Sequence, residues 1–232
     1  MGNVLENISN QSKKKRRKEM KRFMIILVIS LCILMSFSLG KAADTPKVLL
    51  ILPNVADPDY LDTVLNKEVS VMKSMLENAG FKVVAASTDG LPIKSSTVSF
   101  TPDLKLSDVK ADDYIGVIVA CMGSGEPTPK PPEAVLIVKQ SITQGKTVAA
   151  SHSAVTILAE AGILASKRYA FRIDAHPRYS GFAGAIYSGM GVVQDGNIIT
   201  CGICPQVSGS QGLPDCTTDL TQAFITALTP KK

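Results

Sequence analysis

Short apolar runs alternate along most of this chain with longer stripes of apolar residues at helical spacing. Between two of the runs, apolar residues recur at three- and four-residue steps from Leu61 to Ala79, which predicts an amphipathic helix of about 18 residues before Gly80. Four runs have the composition of strands buried on both faces of a parallel sheet: Lys47–Leu52, Lys82–Ala86, Tyr114–Ala120 and Thr147–Ala150. The first part of the chain is therefore predicted to fold as β-α-β units.

Two regions interrupt this alternation. Residues 87–113 lack strong periodicity, and we expect a loop there with a small hairpin at Thr97–Phe100. A proline-rich link over residues 126–132 leads into a helix that ends near Gln144. The prolines fit the first turn of that helix, where a missing N–H costs nothing.

The C-terminal part has a hairpin and a helix. Short strands at Gly191–Gln194 and Ile198–Cys201 are joined through Asp195-Gly196, which is a strong hairpin signal. Apolar residues at helical spacing predict a last helix over residues 217–228. The fold class is thus α/β, with a doubly wound, mostly parallel sheet and helices on both faces. In such folds sites form at the C-terminal strand ends, here residues 53–60, 121–125 and 151–153.

A sharp strand-to-helix turn lies at Ser151 and His152. The strand before it is short and apolar, and from Ser153 the apolar positions follow helical spacing up to Gly162. Such a turn lifts one side chain above the sheet edge, beside the N–H groups of a helix N-terminus, where negative charge is stabilised. This is the shape of a nucleophile elbow with a histidine at the nucleophile's position.

The N-terminus has the features of a secretory signal. Basic residues crowd positions 13–22, and the apolar stretch Phe23–Leu39 runs for 17 residues without a charge. Small residues after it make cleavage plausible after Ala42 or Ala43. Met20 begins a compact signal of its own and is an alternative start of translation.

The same stretch also fits a second arrangement. An uncleaved membrane anchor remains an alternative, because 17 apolar residues are at the lower limit for a span. In either case we place the domain outside the cytoplasm, secreted, periplasmic or anchored, since the basic flank stays inside. We divide the chain into residues 1–43, a targeting or anchoring region, and residues 44–232, one domain.

The net charge of +5 is misleading about partners. Residues 1–43 hold nine of the 25 Lys and Arg and two of the 20 Asp and Glu, which leaves the domain slightly acidic. With no Trp and no basic stripe beyond residue 43, nucleic-acid binding has no support. Any contact with a membrane is expected through the N-terminal segment alone.

Three stretches resemble the ThiJ/PfpI superfamily, also called the DJ-one/PfpI family: Leu76–Ser87, Gly145–Leu164 and Ala183–Pro205. The likeness covers nearly the whole domain, from about Lys47 to Leu228. The resemblance implies a flavodoxin-like, class I glutamine amidotransferase-like fold. It also implies a homodimer, since dimers are common in that family.

The chain departs from the catalytic pattern of that family at three places. The family carries a cysteine nucleophile at the elbow, and an ungapped match places His152 there, with Ser153 on the histidine that follows it. The glutamate that holds the cysteine is replaced by Tyr60 or, with a one-residue shift, by Asp59. The oxyanion donor implied after the third strand falls just before Gly123. Hydrolysis or deglycation by the usual family mechanism is therefore not expected.

Cys121 offers a possible substitute for the missing nucleophile. If the third strand and the elbow strand are neighbours, their ends lie about 4.8 Å apart. A Cys121–His152 dyad is then sterically possible, with the imidazole lowering the pKa of the thiol. We favour the other interpretation, in which Cys121 is a buried small apolar side chain, because free cysteine is among the most buried residue types.

We predict no metal site and no cofactor. His152 with Cys121, Asp59 or His176 is a conceivable ligand set, but these residues lack the spacing of a known metal motif. A redox or zinc role for Cys201 and Cys204 is not favoured either.

Cys201-x-x-Cys204 lies at a strand end before Pro205, and we do not expect a helix to begin there. In an oxidising compartment we instead expect a disulfide that joins Cys216 to Cys204 or to Cys201.

Two functions follow from these observations. The first is an exported ThiJ/PfpI-like domain that binds a small molecule or a partner protein in a vestigial pocket at the strand ends. The second is a diverged amidase- or hydrolase-like enzyme that uses Cys121 with His152. The two differ in whether substitution of these residues changes any turnover.

Overall fold

The computed structural model describes residues 16–20, 24, 44–53, 55, 57–123, 130–173 and 179–229. The chain divides into two compact units, Met1–Asp44 and Thr45–Lys232. In the first unit residues 16–20 are helical and exposed, and the apolar stretch Phe23–Leu39 lies outside the described residues except at position 24. Within the described ranges, no helix is long and apolar enough to cross a membrane.

The second unit is built around a seven-stranded sheet. Its strands, with those of two small sheets, are β1 Lys47–Ile51, β2 Lys82–Ser87, β3 Ile93–Lys94, β4 Ser99–Phe100, β5 Leu104–Lys105, β6 Gly116–Val119, β7 Thr147–Ser151, β8 Arg168–Tyr169, β9 Ile186–Tyr187, β10 Val192–Asp195 and β11 Ile198–Cys201. The central sheet has the order β10-β11-β7-β6-β1-β2-β5. All its pairings are parallel except that of β10 with β11.

The helical segments are α1 Pro58–Val64, a π-helical turn Leu65–Val69, α2 Ser70–Asn78, α3 Pro132–Thr143, α4 Val155–Glu160, α5 Pro205–Gln211 and α6 Thr217–Leu228. Short 3-10 turns lie at Leu106–Asp108, Ala111–Asp113, His152–Ala154 and Ser180–Phe182. The segment from α1 through the π turn to α2 is one continuous helical stretch, somewhat longer than the single helix that the apolar spacing predicts.

Two hydrophobic clusters lie on opposite faces of the sheet, because side chains alternate along each strand. Val48 and Leu50 of β1 pack in the cluster that includes α2 and α6, whereas Leu49 and Ile51 pack in the cluster that includes α3 and α4. Both faces of the sheet are therefore covered by helices. The predicted fold class, α/β with a doubly wound and mostly parallel sheet, is confirmed.

The C-terminal hairpin also forms as its sequence predicts. Asp195 of β10 pairs with Ile198 of β11, and Gly196 between them has a φ of +63°. Asp195 is held further by the backbone N–H of Arg168, which donates to its Oδ2 over 2.9 Å.

Two local predictions differ from the structure. The small hairpin pairs β3 with β4, so Thr97–Phe100 contains only its second strand. A helix begins directly after Cys204, which is its N-cap residue, so the expectation that no helix starts there is wrong. The signal for it was Pro205, a residue that favours the first turn of a helix.

Candidate functional site

The ends of β6 and β7 bring two predicted site residues together. Val119 of β6 pairs with Ala150 of β7 in parallel register. Cys121 and His152, each two residues further on, therefore leave the sheet side by side. Cys121 Sγ lies 3.4 Å from His152 Nδ1.

The turn at His152 has the strained geometry of an elbow. His152 has a φ of +43°, in the left-handed region that L-residues other than glycine seldom adopt. Its ring packs edge-on against Phe171, with centroids 5.3 Å apart. Strain of this kind persists only where the surrounding packing holds it, and it concentrates at functional sites.

Ser153 gives Cys121 a second polar neighbour. The Ser153 hydroxyl lies 3.3 Å from Cys121 Sγ and accepts a hydrogen bond from the backbone N–H of Met122 over 2.8 Å. Burial by itself would raise the pKa of the Cys121 thiol. The interactions with the neighbouring Cys204, His152 and Ser153 outweigh that effect and hold the pKa of Cys121 well below its usual value.

Tyr60 braces the loop that follows β6. Its hydroxyl donates to the carbonyl of Cys121 over 2.9 Å and accepts from the N–H of Gly123 over 2.7 Å. Burial raises the pKa of Tyr60, so the hydroxyl keeps its proton and can donate. Of the two residues that the resemblance allows here, the structure places Tyr60 in the site. Asp59 is exposed, and its N–H donates to the N-cap residue Asp57 over 3.0 Å.

The buried carboxyl group of Glu68 hydrogen-bonds to the backbone of Cys121. Oε1 of Glu68, in the π-helical turn, accepts the N–H of Cys121 over 3.0 Å, while Oε2 is buried without a hydrogen-bond partner among the described residues. Burial, with the negative charge of Cys121, raises the pKa of Glu68 well above its usual value. Its protonated form is therefore favoured relative to that of an exposed glutamate.

Cys204 is the third member of the central cluster. The donor atoms of Cys121, His152 and Cys204 all lie within 4.8 Å of one another. The thiol of Cys204 lies within 4.8 Å of Cys121 Sγ, and interaction with Cys121, together with burial, raises the pKa of Cys204. These three residues form what we call the sulfur–imidazole cluster.

The remaining thiols lie beneath the same strand ends. The four cysteines of the described chain are free thiols. Interaction with the thiol of Cys216, together with burial, raises the pKa of Cys201. Of the two disulfide pairings considered from the sequence, Cys201 with Cys216 is the one whose two thiols affect each other's pKa in the structure. The disulfide itself stays a prediction.

A cavity of about 420 Å³ opens directly above the cluster. His152 and Cys204 lie in its wall, whereas Cys121 sits behind them with no exposed surface. The described wall residues mix apolar side chains with a few polar groups: Val55, Asp57, Tyr60, Gly123, His152, Cys204, Gln206 and Val207. The geometry thus offers a small pocket whose floor carries an imidazole and a thiol.

Comparison with known proteins shows which family has this architecture. The sequence profile of the DJ-1/PfpI family matches residues 60–206, more than half of the chain. The chain belongs to the DJ-1/PfpI family. An uncharacterized protein of Methanocaldococcus jannaschii is 32% identical over 193 residues, which cover 78% of this chain and 89% of that protein. The family resemblance seen in the sequence is thus confirmed.

Solved structures of DJ-1/PfpI proteins share the fold. The ThiJ/PfpI domain protein from Brachyspira murdochii superposes with a TM-score of 0.58 at 22% identity, covering 79% of this chain and 96% of its own. Drosophila melanogaster DJ-1beta gives a TM-score of 0.58 at 22% identity, covering 79% of this chain and 90% of its own. At these identities the likeness concerns the fold alone.

Five of the six site residues proposed from the sequence of this DJ-1/PfpI protein lie together. They are Tyr60, Cys121, Gly123, His152 and Ser153. Two further residues of the site, Glu68 and Cys204, were not predicted. Glu68 had a signal, since an acidic residue stands on the apolar stripe between Leu65 and Met72. For Cys204 the only signal in the sequence was Pro205, which follows it.

Proposed function

We propose that this protein is an exported ligand-binding member of the DJ-1/PfpI family, whose strand-end pocket receives a small molecule and which does not use the family's elbow thiolate. One observation carries the proposal. The elbow side chain that faces the pocket is the imidazole of His152, while the thiol beside it, Cys121, has no exposed surface.

The size and lining of the pocket support binding. Its volume of about 420 Å³ lies within the range of about 300–1,000 Å³ that is common for small-molecule sites. Val55 and Val207 supply apolar surface, and Gln206 and His152 supply groups that orient a ligand by hydrogen bonds. We expect a compact, partly apolar molecule with one or two polar groups.

The N-terminal sequence supports export. A basic run followed by the charge-free stretch Phe23–Leu39 is the pattern of a secretory signal or of an N-terminal anchor. With the basic flank retained in the cytoplasm, the ligand would be met outside that compartment. Fractionation of cells that produce the full chain tests the location, and recovery in the cytoplasm would contradict it.

Saturation-transfer NMR of the purified protein with a library of small polar fragments tests the binding. We expect some fragments to bind the wild type and to lose their signal in Val207→Trp, where an indole fills the pocket. Ile186→Trp is the matched control, because Ile186 is 53% exposed and lies outside the pocket wall. Fragment signals that are equal in wild type and Val207→Trp would contradict the proposal.

A second candidate function is cysteine chemistry by Cys121 with His152. It is favoured by the 3.4 Å contact between Sγ and Nδ1, a distance at which an imidazole can take the thiol proton. Because His152 and Cys204 shield Cys121 from the pocket, reaction would require the His152 ring to turn aside. The reaction class would be acyl transfer, as in an amidase or hydrolase.

Iodoacetamide labelling with peptide mapping separates the two functions. The enzyme hypothesis requires Cys121 to be alkylated faster than Cys201, and His152→Ala to slow that alkylation. Equal rates of Cys121 alkylation in wild type and His152→Ala would refute the dyad. If Cys121→Ser leaves amide and ester turnover unchanged, the enzyme hypothesis is refuted and binding is left as the function.

A further inference from the structure

We infer that the sulfur–imidazole cluster is a zinc site, in which Cys121, His152 and Cys204 hold the ion and a fourth position faces the pocket. This inference deepens the proposed function, because it names the chemistry at the floor of the pocket. The three donors come from three separate segments: the end of β6, the elbow, and the N-cap of α5. They converge although no two of them are close in sequence.

The geometry is close to that of a zinc centre. Tetrahedral zinc with Zn–S bonds of about 2.3 Å and Zn–N bonds of about 2.0–2.1 Å places two sulfurs about 3.8 Å apart and sulfur and nitrogen about 3.5 Å apart. Cys121 Sγ and His152 Nδ1 are 3.4 Å apart, and all three donors lie within 4.8 Å of one another. The distances between donor atoms therefore need to shorten by about 1 Å or less to match those of tetrahedral zinc.

The donor types also fit. Thiolate and imidazole are ligands that zinc prefers, and two thiolates with one neutral imidazole neutralise its two positive charges. On binding, each thiol loses its proton to solvent, and no oxidation takes place.

The exposure of the donors indicates an open site. Cys121 lies behind the pocket wall, whereas His152 and Cys204 belong to it, so the vacant corner of the tetrahedron is directed at the cavity. Three protein ligands and an open fourth position are characteristic of zinc sites that bind an exogenous molecule. A structural site would have a fourth protein ligand.

The free thiols Cys201 and Cys216 provide a matched control within the same chain. They are also buried, and each affects the pKa of the other, but no histidine is grouped with them in the described chain. If any buried thiol pair captured the ion, these two residues would serve equally well.

Cobalt titration of the purified full chain, reduced and stripped of metal, tests the site. We expect one Co²⁺ per chain, with sulfur-to-cobalt charge-transfer bands in the near ultraviolet and intense visible bands typical of tetrahedral geometry, and displacement by Zn²⁺. Cys121→Ser, Cys204→Ser and His152→Ala are each expected to weaken Co²⁺ binding by at least about tenfold. Cys201→Ser and Cys216→Ser are expected to leave it unchanged.

Two outcomes overturn the inference. One is the absence of sulfur charge transfer in the wild type. The other is bands that survive Cys204→Ser but disappear in Cys201→Ser. Addition of 2-mercaptoethanol to the cobalt form is expected to shift the visible bands, and an unshifted spectrum would refute the open position. Fragment binding without Co²⁺ binding overturns the zinc site alone, whereas Co²⁺ binding without fragment binding overturns only the proposed small-molecule function.

Discussion

Oε1 of Glu68 accepts a hydrogen bond from the backbone N–H of Cys121 over 3.0 Å, across 53 residues of sequence. The bond ties the helical layer to the end of β6. It fixes the peptide of Cys121 while leaving the thiol free to face His152 and Cys204. A carboxyl group in this position affects the pH dependence of folding as well as the site.

We predict that Glu68→Gln changes how stability varies with pH. The pKa of Glu68 is raised in the folded protein, whereas it is about 4.3 when unfolded. Its stabilising contribution is therefore full below about pH 4.3 and is lost as pH rises towards the folded pKa, at up to about 1.4 kcal/mol per pH unit. Glutamine keeps the bond to Cys121 and has no proton to lose.

Urea unfolding between pH 5 and 8, with reductant and chelator present, measures this effect. We expect the free energy of unfolding of Glu68→Gln to rise relative to the wild type as pH increases. The ionisation of Cys121 contributes with the opposite sign and interacts with Glu68, so the comparison is repeated in a Cys121→Ser background, where the difference isolates Glu68. Parallel pH profiles would show that Glu68 is ionised in the folded state.

Tyr60→Phe is expected to destabilise the protein by about 2 kcal/mol or more. The hydroxyl of Tyr60 joins the Cys121 carbonyl to the Gly123 N–H, and its loss leaves two buried backbone groups unpaired, each at a cost of about 1–3 kcal/mol. Denaturant midpoints at constant m-value measure the loss. Because Tyr187 is half-exposed on β9, Tyr187→Phe is the control, and equal midpoints for the two variants would contradict the bridging role.

Oxidation is expected to join Cys201 to Cys216. Closing a loop of about 15 residues would raise the free energy of unfolding by about 3 kcal/mol. Intact mass under mild oxidised glutathione should show the loss of two hydrogens in the wild type and in Cys204→Ser, and none in Cys216→Ser. Alkylation of all four thiols of residues 44–232 in the oxidised protein would refute the disulfide.

Gly181→Ala is expected to be far more costly than Gly191→Ala. A Cβ at Gly181 would lie 2.4 Å from the carbonyl oxygen of Ala159, a backbone atom that cannot move aside without shifting α4. A Cβ at Gly191 meets nothing within 4 Å. Thermal unfolding should show a loss of about 1–3 kcal/mol or more for the first and little for the second. Similar melting temperatures would contradict the close packing of the 3-10 turn Ser180–Phe182 on α4.

Strands β1, β2, β6 and β7 could be predicted from the sequence because they lie inside the sheet and are largely buried, which produces continuous apolar runs. The edge strand β5 falls in the region that was predicted as a loop. The elbow could be located for a related reason, since Thr147–Ser151 is apolar and the helix after it has a clear apolar stripe. The turn at Asp195-Gly196 needs a left-handed residue, and the glycine supplies it.

The helix α5 and the role of Cys204 could not be predicted in the same way. Residues 206–211 contain two serines, a glycine and a single aliphatic residue, so local propensity for a helix is weak. Contact with α1 and burial of Val207 stabilise it instead. The meeting of Cys204 with Cys121 depends on that tertiary packing, and periodicity carries no information about it.

The π-helical turn Leu65–Val69 is equivalent to one additional residue inserted between α1 and α2. An insertion of this kind rotates everything on one side of it by about 100° relative to the other. Deletion of a single residue in that turn would therefore restore a regular helix and swing the Glu68 carboxyl out of the core. The connection between the helix and Cys121 thus depends on helical phase, so a one-residue change in helix length could create or abolish it while every residue of the site stayed the same.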